Sequence, residues 1–116
     1  MSNRSRCERV YGLIGLAAKK RSIVSGGNAC ERVLKYGAGG TMIIAADASA
    51  NTKGKFIRLS CINNMRYIIF GSRSKLGCRA GKGERSVLII TDEGLARAIR
   101  VLLGFADDEN GGVRFG

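Results

Sequence analysis

The sequence predicts an α/β protein, a three-layer α/β/α sandwich around a mixed sheet of about four strands. Three observations carry this. Short β-branched runs alternate with amphipathic stretches along the whole chain. Two of the runs, 41–46 (TMIIAA) and 87–90 (VLII), are continuously apolar, the pattern of strands covered on both faces. Glycine, or a capping Asp or Ser, stands at most of the boundaries.

Taken in order, residues 7–20 form the first helix. Val10, Leu13, Ile14 and Ala17 recur as one apolar stripe, and Lys19, Lys20 and Arg21 close it where cations suit the helix dipole. Residues 23–40, IVSGGNACERVLKYGAGG, are the stretch around which the rest of the chain is organised. Ile23 and Val24 suit a strand, and Ser25, Gly26 and Gly27 suit a sharp turn. Asn28 stands at or next to the N-cap of a second helix. Ala29, Cys30, Val33, Leu34 and Gly37 make its buried face, Arg32 and Lys35 lie elsewhere, and Gly37, Gly39 and Gly40 stop it.

After the strand at 41–46, Ser49 caps a helix over 50–64, with Phe56, Ile57, Ser60 and Cys61 inward. A third strand spans 67–70. Residues 71–85, GSRSKLGCRAGKGER, give a short helical turn at 74–78 and a mobile loop at 80–83. The strand at 87–90 precedes a last helix begun by Thr91-Asp92-Glu93, with Leu95, Ile99, Leu102 and Leu103 inward. Residues 1–105 make one domain, and 106–116 (ADDENGGVRFG) a flexible acidic tail.

Composition narrows the function. Twenty Lys and Arg against nine Asp and Glu give a formal charge of +11, which draws a polyanion from several ångströms away. Nucleic acid is the partner this favours. The apolar runs are far short of a membrane span, no basic aromatic helix is present, and no cleavage site follows the N-terminal segment. A cytoplasmic protein is expected.

Catalytic and metal chemistry find little purchase. The chain has no histidine, and Cys7, Cys30, Cys61 and Cys78 are widely spaced without a Cys-x-x-Cys pair, so neither a metal nor another cofactor is expected. Cys30 and Cys61 read as core residues. Residues 77–83 (GCRAGKG) come near a nucleotide phosphate loop. The spacing is one residue short, glycine replaces the magnesium-binding hydroxyl, and a strand stands next where a helix should. Asp47, Asp92 and Glu93 read as helix-capping acids, and no enzyme is expected.

Binding chemistry concentrates in two places. The helix start at Gly26, Gly27 and Asn28 offers unpartnered amides to an anion, with Arg32 one turn on. The 71–85 stretch adds Arg73, Lys75, Arg79, Lys82 and Arg85, a basic glycine-rich loop suited to a phosphate backbone. Both are expected at one edge of the sheet. Only seven residues are Phe or Tyr and none is Trp, most of them on core positions. Structured RNA therefore fits better than stacked single strands.

These stretches together resemble the kink-turn RNA-binding ribosomal proteins, of the archaeal L-seven-Ae and eukaryotic L-thirty type with their small bacterial relatives. GGNACERVLKYG looks like the family's helix start, MIIAADAS like its strand-to-acid segment, and RYIIFGSRSKLG and VLIITDEGLA like its later strand, loop and last helix. The resemblance runs from about Tyr11 to Leu103 and is closest to the bacterial form. It implies an α/β/α sandwich that grips a sharply bent RNA and performs no chemistry. Gly26, Gly27 and Asn28 match the helix start that meets guanine edges, and Arg32 matches a lysine that contacts RNA. Ala29 stands where the family usually has a glutamate or glutamine, and residues 80–85 are glycine and charge where archaeal members offer apolar side chains. The candidate RNA-binding set is thus Gly26, Gly27, Asn28, Arg32, Lys35, Arg73, Lys75, Arg79, Lys82 and Arg85. The expected partner of this monomer is a ribosomal or noncoding RNA, with the ribosome as its setting. The alternative is a protein-interaction module that docks on acidic partners of the translation machinery.

Overall fold

The computed structural model describes residues 3–37 and 39–105. The expected acidic tail at 106–116 lies outside the described residues. Among the described residues nine elements run in the order α1 (Asn3–Lys19), β1 (Ile23–Ser25), α2 (Gly27–Lys35), β2 (Thr41–Ile44), α3 (Ala50–Ile62), β3 (Arg66–Ile69), α4 (Arg73–Arg79), β4 (Val87–Ile90) and α5 (Glu93–Leu102). The sheet order is β1-β4-β2-β3. β4 runs antiparallel to both neighbours and β2 parallel to β3, which makes the sheet mixed as expected.

Every residue of β2 and β4 is buried, because helices cover both faces of these central strands. One layer is α1 with α4 and α5, and the other is α2 with α3. Full burial of each Ile, Leu or Val is worth about 1.5–3 kcal/mol, so these two runs are a large share of the stability. From α1 the core receives Val10, Tyr11, Ile14 and Ala17. Cys30 and Leu34 reach it from α2, and Phe56 and Ser60 from α3.

Several boundaries differ from the sequence reading. α1 begins at Asn3, four residues early, because its first turn is polar and shows no apolar period; an Arg4–Glu8 pair at 3.6 Å spans its start. β2 ends at Ile44 and leaves Ala46 exposed. Gly37, expected on the buried stripe of α2, is exposed at φ 71°, so only its helix-stopping part holds. The 80–83 segment does not swing free of α4. Lys82 N–H donates to the Gly77 carbonyl at 2.8 Å, and Arg85 N–H to that of Arg73 at 3.1 Å. The approach is close enough that a Cβ on Gly77 would fall 1.9 Å from the Gly83 oxygen.

On α5 the buried residues are Ala96, Ile99 and Arg100. Leu95, Leu102 and Leu103, expected inward, are only half-buried against the core. Arg100 is 0% exposed, and its guanidinium donates to Thr41 Oγ1 at 2.6 Å and to Glu93 Oε1 at 2.8 Å.

Cys30 is fully buried and Cys61 half-buried, whereas Cys78 is exposed. Burial pushes the Cys30 thiol from an ordinary 9.0 up to about 12. A thiol held neutral in the fold but ionisable in the unfolded chain favours the fold fully below about 9, and that contribution is lost as pH rises towards 12. At pH 8, a thiol reagent is expected to modify Cys78 at once and Cys30 only on unfolding, as read by mass mapping of labelled peptides. Cys30→Ala should flatten the alkaline loss of stability seen in melts above pH 9.

Candidate nucleic-acid interface

The site begins with the turn from β1 into α2. Gly26 is the N-cap at φ 96° and ψ 152°, a conformation that a residue with a Cβ rarely adopts. Its N–H donates to the Val87 carbonyl at 3.0 Å, and its own carbonyl accepts from Cys30 N–H at 3.0 Å. The cap is therefore Gly26, and Asn28 lies two residues inside the helix, exposed and free of capping duty. With no side-chain cap and no acid in the first turn, the Gly27, Asn28 and Ala29 amides face outward at the positive end of the helix dipole.

Two other segments wall this helix start. Thr52 and Phe56 come from α3, and Glu84, Arg85 and Ser86 lead into β4; with residues 25–29, Arg32 and Val87 they enclose a cleft of about 560 Å³. The Arg85 side chain runs past the turn, its Nε 3.8 Å from where a Gly26 Cβ would stand. The Phe56 ring comes within 3.5 Å of the corresponding position on Gly27. Arg85 Nη1 donates to the Glu84 carbonyl at 2.9 Å. Arg32 makes no ion pair among the described residues, while the neighbouring acid Glu31 is engaged by Lys55 at 2.5 Å. The cleft thus gathers the uncapped helix start, Arg32 and Arg85, with Glu84 as its one acid, a lining whose chemistry suits an anion.

The ten expected residues do not form one patch. Gly26, Gly27, Asn28, Arg32 and Arg85 converge on this cleft. Lys75 and Arg79 instead stand over the Tyr11 ring, at 5.7 and 5.9 Å. They line a separate groove of about 940 Å³ between α1 and α4, with Arg4 and Lys19. Arg73 is tied to Asp47, which accepts its backbone N–H at 2.8 Å and lies 3.8 Å from its guanidinium. Lys35 and Lys82 are exposed and line neither concavity. Only the end of the basic loop, at Glu84 and Arg85, reaches the helix start.

Sequence reasoning missed Thr52, Phe56 and Ser86. Phe56 reads as core because it is core, and only the packing of α3 against α2 turns its ring edge into a cleft wall. The acids at strand ends are structural. Asp92 caps α5 by accepting the Leu95 N–H at 2.9 Å, and a hydrogen bond from Lys20 at 2.6 Å holds its carboxyl below the usual range. Among the described residues no group of three or more His, Cys, Asp or Glu could hold a metal ion. Among them, too, no helix is long and apolar enough to cross a membrane.

The model of the ribosomal protein L7Ae/L30e/S12e/Gadd45 family matches residues 8–100. The chain is 31% identical over 93 residues to the RNA-binding protein YlxQ of Bacillus subtilis, covering 80% of this chain and 93% of that protein. A solved structure of a protein of unknown function from Bacillus halodurans superposes with a TM-score of 0.76 at 29% identity, over 81% of this chain and 95% of that one. The 15.5 kD RNA-binding protein of Giardia lamblia shares the fold at a TM-score of 0.69 and 22% identity, over 90% of this chain and 89% of its own.

Proposed function

Because the chain belongs to the ribosomal protein L7Ae/L30e/S12e/Gadd45 family, we propose that it is a non-catalytic protein that binds structured RNA of the kink-turn kind, as a cytoplasmic monomer associated with ribosomal or noncoding RNA. One observation carries the reading: the uncapped start of α2 shares a single cleft with Arg32 and Arg85. Phosphate or a guanine edge meets the amides, and Asn28 is the polar side chain placed to select among bases. The cations outside the cleft, Lys35, Arg73, Lys75, Arg79 and Lys82, hold more of the RNA backbone without reading sequence.

Asn28→Ala is expected to weaken binding of a kink-turn RNA by about 1–3 kcal/mol and leave a plain duplex unchanged. Lys82→Ala should weaken both alike. Filter binding of both variants with both RNAs checks this, and curves that overlay the parent on every RNA refute the assignment. The α1–α4 groove favours a second reading, a module that docks on acidic partners of the translation machinery. It gains support if such a partner stays bound after nuclease treatment.

A further inference from the structure

The groove between α1 and α4 has two walls that the anion cleft does not use. Its α1 wall is formed at positions 4, 7, 8, 11, 15, 18 and 19, spacings of three and four that keep to one helical face. Positions 75, 78 and 79 repeat those spacings on the α4 wall. Between the charged residues the lining is apolar and small, with Cys7, Gly15, Ala18, Cys78 and Ala80 along it. A Cβ on Gly15 would meet nothing within 4 Å, so no described residue fills the space in front of it. α1 is 17 residues long, about 25 Å, which gives a further helix room to lie alongside.

Four cations border this lining, Arg4 and Lys19 from the two ends of α1 and Lys75 and Arg79 from α4. Glu8 is the one acid among the described lining residues, and it is already paired with Arg4 at 3.6 Å. The aromatic ring here is no platform for a base. Tyr11 is 7% exposed, its hydroxyl accepts the Ser72 N–H at 3.3 Å, and Lys75 and Arg79 stand over the ring. Nor is the start of α4 open to phosphate, because the Ser72 hydroxyl caps it by accepting the Lys75 N–H at 3.2 Å. RNA would use the cations and leave the apolar lining in water. An amphipathic helix rich in Asp and Glu uses both, its apolar stripe on the small residues and its carboxylates along the basic rims.

We infer that the α1–α4 groove takes an acidic amphipathic helix of a partner protein. The inference rests on the reading of the chain as a module that docks on acidic partners, and gives that reading a place and a shape. No described residue lines both this groove and the anion cleft, so one molecule has room for the helix and for RNA at the same time. Lys75 and Arg79 thereby gain a use more specific than holding RNA backbone.

The probe is a synthetic peptide of about four helical turns, with Leu recurring at i, i+3, i+4 and i+7 and Glu at most other positions, and a scramble of the same composition is its control. Fluorescence anisotropy of the labelled peptide should show it binding the full chain, the scramble at least about tenfold more weakly, and a saturating kink-turn RNA should not displace it. Bound peptide should also slow modification of Cys78, which is exposed and lines the groove. Gly15→Leu fills the groove and suits a helix better than glycine does, so it should keep the fold and RNA binding but lose at least about tenfold for the peptide. Lys75→Glu, which reverses one rim charge, should weaken the peptide by a similar factor. Peptide binding that ignores both substitutions and leaves Cys78 as reactive as before places acidic docking elsewhere, and overturns the groove alone. A scramble that binds as well as the peptide overturns the helix. RNA that displaces the peptide and itself protects Cys78 makes the groove an RNA surface and overturns the inference. No peptide binding at all overturns the acidic-partner reading with it, and leaves RNA binding at α2 standing.

Discussion

Gly40→Ala is expected to destabilise the fold by at least about 3 kcal/mol, read as a fall in the urea midpoint at unchanged slope. Two penalties coincide there. Gly40 sits at φ 117°, where a side chain is strained, and a Cβ would lie 2.0 Å from the Ile90 carbonyl oxygen. That oxygen has nowhere to retreat. Ile90 is paired with Ile23 on one side and Thr41 on the other, so moving it disturbs β1, β4 and β2 together. Gly39→Ala is the matched control, since a Cβ at that position meets nothing within 4 Å, and it should change stability by about 0.5 kcal/mol or less. Equal effects of the two substitutions would remove the steric argument.

Arg100→Ala should cost about 3–5 kcal/mol, and Arg100→Met less, about 1–3 kcal/mol. Alanine removes the packing of a fully buried side chain and strips Thr41, itself 1% exposed, of the guanidinium that its hydroxyl accepts from at 2.6 Å. Methionine refills the volume and leaves the Thr41 hydroxyl without this donor. The Glu93 side chain is 59% exposed, so water replaces Arg100 there at little cost. Chemical denaturation of the two variants separates the packing from the hydrogen bond. Identical losses would mean that the cavity counts for nothing.

Much of this architecture was legible in the sequence because it depends on local periods and caps. The runs at β2 and β4 announced strands buried on both faces, and Ser49 and Asp92 announced the starts of α3 and α5. Each accepts a backbone N–H from three residues on, at 3.1 Å from Thr52 and 2.9 Å from Leu95. The cap of α2 was read less well because glycine caps with its backbone, so the eye goes to Asn28, the nearest polar side chain. The burial of Arg100 has no comparable local signal, because an arginine is ordinarily solvated. Helical spacing puts it on the inner face, and only the neighbours contributed by β2 and by the first turn of α5 make a cation acceptable there.

The candidate site was legible in its centre and blurred at its edges. Residues 26–28 and Arg32 are local to one turn and one helix, so their grouping comes from the chain itself. Whether Arg85 or Arg79 joins them depends on how 80–85 folds back over α4, and no periodicity encodes that. The loop is pinned to Gly77 and Arg73, which turns Arg85 towards the helix start and leaves Lys75 and Arg79 on the α1 side.

The most direct test of RNA recognition at the start of α2 is binding to a kink-turn RNA and to a plain duplex of equal length, each titrated over several salt concentrations. About five phosphate contacts give a log–log salt slope of about −3.5 to −4.5 for both RNAs. Recognition by the α2 amides and Asn28 predicts similar slopes but a higher affinity for the kink-turn RNA that persists at high salt, where base contacts and shape outlast the backbone term. Equal affinities that collapse together as salt rises would contradict it, and would make the protein a general binder of phosphate backbone.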